Sequence, residues 1–542
     1  MPNELLLPPS GERLINANGT DVTADVYGPI RKTWGQVTDP GDKEALKKAG
    51  EVVTTADGLV AIDLEAPSRN LYPVLTPIRN AIPRRTVGSG AGLGPQWREV
   101  RSISGSPLLP AQPWLREGGR AARMDIDAVN RSADYVTLGL DTDVTFEAQH
   151  AAQGFEDEYA MAALRLLHQL MRMEEDMIVG ANRSVALGAT ATPTLSASGT
   201  GATLPAATYS VRCFALTFEG YRNWRFTPST AQAIFRQVTL TGADGQTYTI
   251  NGGSSAAGAA ATQAVTLGQT LFMSVPVIRG AVAYAWFVGT AGNERLERVS
   301  TINSAAISAP LAGTGQTLVS ITDAATDRSF NNGTAGNNAP AYNGLLYGVY
   351  AGPTTGSGFT IVETLATGTA GTGTVLTATD RGIAQIDNVL RAMWDNYQLS
   401  PEVIWCSAQE ADNIANKLYG GTATGKVRYS ITLNPSGEVQ AGVAGIQYNN
   451  LYAQPANGSP TVPIRVHPTL TPGTMLFWLN NLPAQYLAAN VPVVAQVQAR
   501  RDYYQIPWPQ VTRRQETGVY AETVLKNYFP PALAILTNIA NG

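Results

Sequence analysis

Between Phe146 and Gly180 the chain carries a hydrophobic pattern that a long amphipathic helix satisfies. Tyr159, Ala163, Leu166, Leu170, Met173 and Met177 fall at alternating four- and three-residue steps, which sets them along one face. Helical from Glu147 to Val179, the segment would be roughly 50 Å long at 1.5 Å per residue, longer than most compact domains need. Gly154 is expected to mark a kink or the true start. One buried face on so long a rod suits a scaffold better than an active site.

The rod sits in a chain of 542 residues, too long for a single core and enough for about three or four domains. A formal charge of −4, from 38 basic and 42 acidic residues, gives no global attraction to nucleic acid or anionic membrane. Charged residues make up 15% of the chain, against roughly 25% in an average soluble protein, so large mutually covered surfaces are expected. Cys213 and Cys406 each lie in an apolar run and far apart, which favours buried free thiols over a disulfide framework. The start MPNELLLPPSGERL lacks the basic, apolar and small-residue regions of a secretory signal, and no apolar run reaches the length of a membrane span. The chain is therefore expected to be made in the cytoplasm.

Ahead of the rod, residues 1–70 carry few apolar side chains and read as an arm that orders against something else. Residues 71–145 form an extended excursion. Pro73, Pro77 and Pro83 forbid a continuous helix, the glycines at 88, 90, 92 and 94 supply a hinge, and Tyr135 to Phe146 alternates as a strand. A loop this long points to a binding role or disorder. The rod itself is assigned to 146–188. Composition then shifts to short alternating runs between Gly, Asn, Ser and Thr clusters, including Thr208 to Phe218, Leu271 to Val275 and Ala281 to Gly289. This predicts an inserted antiparallel β-sandwich at 189–340, similar to immunoglobulin-like or fibronectin-like modules. From Ala341 helices and strands interleave: a stripe of Ile383, Ile386, Leu390, Met393 and Tyr397 capped at Thr379-Asp380, a buried strand SPEVIWC, a helix from Ala408 to Leu418, and strands up to Tyr504. The fold class is α+β.

Apparent chemical motifs fail on inspection. GGTATGKV (Gly420 to Val427) has phosphate-loop spacing, but Val427 stands where a hydroxyl is needed, and the loop follows a helix instead of a strand. GSGAGLG (Gly88 to Gly94) has Leu93 at the third glycine of a dinucleotide loop. His150 and His168 are about 27 Å apart along a helix, too far to share an ion, and His467 is the third and last histidine. No cofactor, metal site or catalytic residue is assigned. The acidic clusters Glu156-Asp157-Glu158 and Glu174-Glu175-Asp176 point in different directions around a helix, as on a solvated surface. The second opposes the helix dipole and calls for cations nearby. Arg116, Arg120 and Arg123, reaching over from a neighbouring molecule, are the candidates.

Taken in order, LTPIRNAIPRR, QWREVRS, YVTLGLDTDVTFEAQHAAQ, MEEDMIVGAN, GIAQIDNVLRAMWDNYQLSPEVIWCSAQEADNI and GVYAETVLKNYFPPALAIL resemble the major capsid proteins of tailed bacteriophages, with the Hong Kong-type capsid fold. The resemblance covers about 350 residues and omits the insertion. It implies an N-terminal arm, an extended loop that lies over a neighbour, a peripheral domain on the spine helix (146–188 with strands at 481–519), and an axial domain (341–480, rejoined at 520–542). It implies hexamers and pentamers closing into an icosahedral shell around double-stranded DNA, which is held without sequence-specific binding. The partners implied are further copies of the chain with portal and scaffold proteins, no membrane is involved, and the place of action is the virion, assembled in the host bacterial cytoplasm. Inter-subunit contacts are expected at Trp97, Arg98, Arg101, Trp114, Arg116, Arg120, Arg123, Glu174, Glu175 and Asp176. Some members of the family join subunits by lysine-asparagine bonds from the extended loop; no lysine occurs here between Lys48 and Lys417, so no such bond is expected. The insertion is expected on the outer surface. A surface adhesin or tail-fibre protein is the main rival reading, and a polysaccharide-degrading enzyme the third; neither explains both the spine helix and the α+β half.

Overall fold

A computed structural model describes residues 75–88, 92–104, 114–120, 125–153, 157–226, 235–333, 338–352, 360–379, 382–419, 432–433, 439–440, 447–453, 460–483 and 493–542. The arm expected over residues 1–70 and the phosphate-loop decoy at 420–427 lie outside these. The first described elements are a short helix α1 (Pro77–Ala81), strand β1 (Arg84–Thr86), a two-stranded ribbon of β2 (Gln96–Ser104) and β3 (Asp125–Ser132), and strand β4 (Val136–Thr145). In β4, Val136 and Leu138 are buried while Thr137 and Gly139 are exposed, the alternation of a strand with one solvated face.

The rod is not continuous. Helix α2 (Phe146–Ala151) starts where the Thr145 hydroxyl accepts the N–H of Ala148 (3.3 Å), and α3 (Glu158–Gly180) starts anew at Asp157, whose carboxylate accepts the N–H groups of Tyr159 and Ala160 (both 3.1 Å). A carboxylate cap satisfies first-turn donors and complements the helix dipole, so Asp157 sets the start; Gly154 lies outside the described residues. The 23 residues of α3 span about 35 Å. Leu166, Leu170, Ile178 and Val179 are buried, but Met173, expected on the same stripe, is 39% exposed. The buried face drifts round the helix near its end, where Glu174, Glu175 and Asp176 take the inward positions.

The next region contains β5 (Thr194–Ser198), β6 (Ala207–Leu216), helix α4 (Phe218–Phe226), a ribbon of β7 (Val238–Thr241) and β8 (Thr247–Ile250), then β9 (Ala261–Val265), β10 (Thr270–Ser274), β11 (Ala283–Gly289), β12 (Arg295–Ser300) and β13 (Ser304–Ile307). Two antiparallel sheets, β13-β10-β5 and β12-β11-β6-β9, enclose a core of Val211, Cys213, Leu271, Met273, Tyr284 and Trp286. The four-stranded sheet is covered on its other face too. There Phe214, Leu216, Ala285 and Phe287 join Phe218, Phe235, Leu318 and Ile321 in a cluster that runs on to Ile178 and Val179 of α3. Every residue of β11 is buried, which explains why AVAYAWFVG is almost uninterruptedly apolar. The entry and exit of the region meet at the end of α3: the Asn182 amide donates to Val185 O (2.7 Å) and Ser329 O (2.8 Å), and Gly344 N–H donates to Ala181 O (2.8 Å). Gly180 is required at this junction, since a Cβ there would stand 2.3 Å from the Phe218 ring.

The remaining elements are α5 (Leu345–Tyr350), β14 (Ile361–Thr364), α6 (Ala384–Tyr397), β15 (Val403–Cys406), α7 (Ala408–Tyr419), a ribbon of β16 (Thr432–Leu433) and β17 (Val439–Gln440), β18 (Gln447–Asn449), β19 (Thr461–Val466), β20 (Met475–Trp478), β21 (Ala495–Pro507), β22 (Arg514–Asn527) and β23 (Leu533–Thr537). A mixed sheet, β14-β23-β20-β15-β19-β18, buries Ile404, Cys406, Met475, Phe477 and Leu536 against Ile386, Val389, Leu390 and Met393 of α6. The cap of α6 differs from Thr379-Asp380: Ile383 is the cap residue, and the Tyr448 hydroxyl accepts its N–H (2.8 Å) while donating to Asp387 (2.6 Å). The second sheet, β1-β21-β22-β4, carries α3 on one face, with Val136, Leu138, Leu166, Leu170 and Val497 in one core. Strand β22 runs unbroken to Asn527, so this sheet ends about eight residues later than position 519, and the return to the mixed sheet begins at the Pro530-Pro531 turn. Cys213 and Cys406 are free and buried. Among the described residues no helix is long and apolar enough to cross a membrane, and no group of three His, Cys, Asp or Glu could hold a metal ion.

Candidate functional site

Three consecutive acids, Glu174, Glu175 and Asp176, are each almost wholly buried at the last turns of α3. Successive helix positions turn by about 100°, so three adjacent carboxylates aim at three different bodies of the chain. Buried carboxylates persist only where charge or hydrogen bonds replace water, and each of these has a charged or hydrogen-bonding partner within its own chain.

Glu174 faces the sheet. Arg79 Nε lies 2.7 Å from its Oε2, Arg84 Nη1 lies 2.8 Å and 2.9 Å from its two oxygens, and the Tyr503 hydroxyl donates to it. Arg84 also bonds Asp502 at 2.7 Å. Burial opposes the charge on Arg84, but Asp502 and Glu174 outweigh it and raise its pKa above the ordinary guanidine value. Burial likewise pushes the Asp502 carboxyl up, and the hydrogen bond and charge of Arg84 more than reverse this, holding it below the usual range. The two guanidiniums also stand over the Tyr503 ring, 5.2 Å from its centroid.

Glu175 reaches past its own helix to the start of α1. Its carboxylate accepts the N–H groups of Ile78 (2.9 Å) and Arg79 (2.5 Å), the second and third residues of that helix, while Thr76 at the cap position makes no side-chain cap bond. A remote anion therefore does the work of an N-cap. His467 Nε2 stands 2.7 Å from Glu175 Oε1, and its Nδ1 is 3.3 Å from the Thr469 N–H. An Nδ1 that accepts leaves the proton on Nε2, which donates to Glu175. Asp176 pairs with Arg222 of α4. Burial pushes its carboxyl up to about 6, against the opposing charge of Arg222. The end of α3 is thus a knot: Glu174 holds β1 and β21, Glu175 holds α1 and the loop after β19, and Asp176 holds α4.

Two expectations are corrected here. The cluster is not a solvated helix surface, and its cations are Arg79, Arg84 and Arg222 of the same chain in place of Arg116, Arg120 and Arg123 from a neighbour. The sequence signal was LTPIRNAIPRR itself, whose arginines at 79 and 84 lie five apart on a Pro-broken segment; what hid it was the sequence separation of roughly 90 residues. Trp97 is half-buried on its own chain, edge-to-face with Tyr528 at 5.9 Å and under Lys526 Nζ at 5.8 Å, which ties the base of the ribbon to β22.

Beyond that base, β2 and β3 pair only with each other among the described strands, from Gln96 opposite Ser132 to Ser104 opposite Asp125, with a register shift between Val100 and Ser102. Arg98 is exposed on the ribbon, and Arg101 is in β2. Trp114 is 81% exposed and Leu115 57%, with Arg116 and Arg120 exposed beside them. Arg123 lies outside the described residues.

No family model matches the chain, and no curated protein matches it. Among solved structures, it is similar to the capsid of the Myoviridae phage XM1 (8% identity, 90% of this chain and 100% of that one, TM-score 0.39) and the capsid of cyanophage A-1(L) (10%, 90% and 99%, 0.38). It is also similar to the SrpI encapsulin of Synechococcus elongatus PCC 7942 (9%, 90% and 95%, 0.33). At such identities and scores the chain's own geometry has to carry the functional reading.

Proposed function

We propose that this chain is the major capsid protein of a tailed bacteriophage, a non-enzymatic subunit that assembles as hexamers and pentamers into an icosahedral shell around double-stranded DNA. The observation that carries the reading is the ribbon β2–β3, anchored by Trp97 at one end and presenting Trp114 and Leu115 to solvent beyond the other. A ribbon of two strands is marginal by itself in water, and an apolar tip gains stability only by docking. Identical neighbours in a closed ring of heterologous contacts supply that dock, each contact needing to bury upward of roughly 1,200 Å².

The rest of the molecule supports the same reading. A helix of 23 residues braced on a sheet of long strands, with its end knotted to three other segments, is a rigid plate suited to tiling. A net charge of −4 lets a container hold DNA without many fixed phosphate contacts, which would bind tightly and in a salt-dependent way. Portal and scaffold proteins are further partners of this proposal, and the virion is the place of action. Replacing residues 105–124 by a Gly-Ser linker tests it. Sedimentation of the wild-type protein is expected to show fast particles, and the variant slow, folded subunits. Fast particles from the variant would overturn the role given to the ribbon tip. DNA content is read separately, so that shells empty of DNA under packaging conditions would remove the DNA claim alone.

A further inference from the structure

The two-sheet insertion touches more than the spine helix. Its far side meets the mixed sheet through a reciprocal amide pair. Asn303, in the turn between β12 and β13, donates its backbone N–H to the side-chain oxygen of Asn538 (3.0 Å), and the Asn538 amide donates back to the side-chain oxygen of Asn303 (3.1 Å). Each amide also holds other groups: Asn303 Nδ2 donates to Val275 O (2.6 Å) and Thr367 Oγ1 (2.8 Å), and Asn538 Nδ2 donates to Leu365 O (2.8 Å). Both residues are buried, and Asn538 follows β23 with φ 62°, a left-handed conformation that asparagine tolerates better than most residues. Nearby, Gly371 at φ 87° lies so close to β10 and β13 that a Cβ would come 2.6 Å from Ala306 and 3.0 Å from Phe272.

A second junction runs through α5. Arg279, between β10 and β11, donates to Tyr350 O (3.1 Å) at the C-terminal end of that helix and to Thr360 Oγ1 (3.3 Å), where a cation meets the negative end of the helix dipole. The Tyr347 hydroxyl donates to Gly280 O (2.9 Å) and accepts the Phe218 N–H (3.0 Å), so one α5 side chain ties two parts of the insertion. Helix α5 packs in turn on α3, β14 and β23. With the Asp176–Arg222 pair and the stem at Asn182, the insertion is fastened at both the helix end and the mixed sheet.

We propose that the inserted sandwich is an internal brace: it spans the end of α3 and the mixed sheet and fixes their relative orientation, in place of hanging from the fold as an appended decoration. The end of α3 and the mixed sheet already meet through Glu175 and His467 and through α5; the insertion adds a separate pair of junctions to the same two bodies. An insertion held to both opposes their relative motion, most of all at the buried Asn303–Asn538 pair, where sliding strands amides and carbonyls away from water. The brace acts within one chain, so it stands or falls apart from the capsid reading.

Hydrogen exchange on the full-length chain tests it with Asn538→Gly, which keeps the left-handed backbone and removes the amide, and with Asn303→Ala from the opposite side. Each variant is expected to raise exchange about ten-fold or more on both sides of the junction, in β10 and β13 and also in β14, β23 and residues 365–367. The double variant should loosen the junction by less than the sum of the two single ones, since both remove the bond from the Asn538 amide to Asn303 Oδ1. Loosening confined to the side that carries the substitution, or additive effects of the two, would overturn the brace. If Asn303→Ala does not fold, Asn538→Gly and Arg279→Met carry the same test, with exchange in the insertion as the readout for the former and exchange in β14 for the latter.

Discussion

Glu174→Arg separates an internal knot from a contact between subunits. Glu174 is 0% exposed, and its two oxygens hold Arg79 at 2.7 Å and Arg84 at 2.8 Å and 2.9 Å together with the Tyr503 hydroxyl. Removing one partner of a buried ion pair costs about 3–5 kcal/mol, because the other charge is left without compensation. Here Arg84 would keep its pair with Asp502, itself partly exposed, and Arg79 would lose its ion pair with Glu174. Arginine at 174 adds a third positive charge to the same site, so the loss should reach or exceed the upper end of that range, a large share of the 5–15 kcal/mol by which domains are stable. Glu174→Gln keeps the shape and should cost about 3 kcal/mol. Equilibrium urea unfolding of the soluble subunit measures both. A Glu174→Arg subunit within about 1 kcal/mol of wild type that fails to form particles would refute the reasoning and move Glu174 to an inter-subunit contact.

Trp114→Ala should change subunit stability by less than about 0.5 kcal/mol, the usual range for exposed positions, yet lower particle yield; unchanged yield would count against docking through Trp114. Trp97→Ala should act on the subunit, raising hydrogen exchange in β2 and β3 by freeing the ribbon from Tyr528 and Lys526, and unaltered exchange would contradict the anchor. On α3, Leu170→Asp is expected to cost several kcal/mol and Met173→Asp under about 1 kcal/mol, a contrast that thermal unfolding resolves and equal losses would deny. Asp176 is raised from 3.8 to about 6 by burial, so the folded state binds its proton more tightly than the unfolded one. Its contribution is therefore fully favourable below about pH 4 and is lost as pH rises to 6, by about 3 kcal/mol at 1.36 kcal/mol per pH unit. Asp176→Asn should flatten the fall in subunit stability between pH 4 and 6, and an unchanged slope would show that Asp176 does not govern it.

The parts of the fold legible in the sequence were those written in local periodicity. The stripe of α6, the alternation of β4 and the sandwich strands each follow from neighbouring residues, because burying one face demands a fixed spacing. The drift of the buried face on α3 was not legible. Met173 keeps the stripe's spacing, but three acids displace the apolar face at the helix end, and their partners at 79, 84, 222 and 467 come from segments that no local pattern connects. Counting directions round the helix was sound physics for Glu174 to Asp176 with the wrong surroundings assumed: divergent carboxylates suit solvent, and they equally suit a position enclosed on three sides. Likewise, the near-continuous apolar run of β11 reflects a sheet covered on both faces, whose second cover comes from segments distant in sequence.

Electron cryomicroscopy of the purified full-length chain tests the central claim most directly. Closed shells are expected, with β2–β3 of each subunit lying over the next and Trp114 buried against it, while Glu174 keeps Arg79 and Arg84 of its own chain. Monodisperse monomers, or a lattice in which Trp114 stays in solvent, would contradict it.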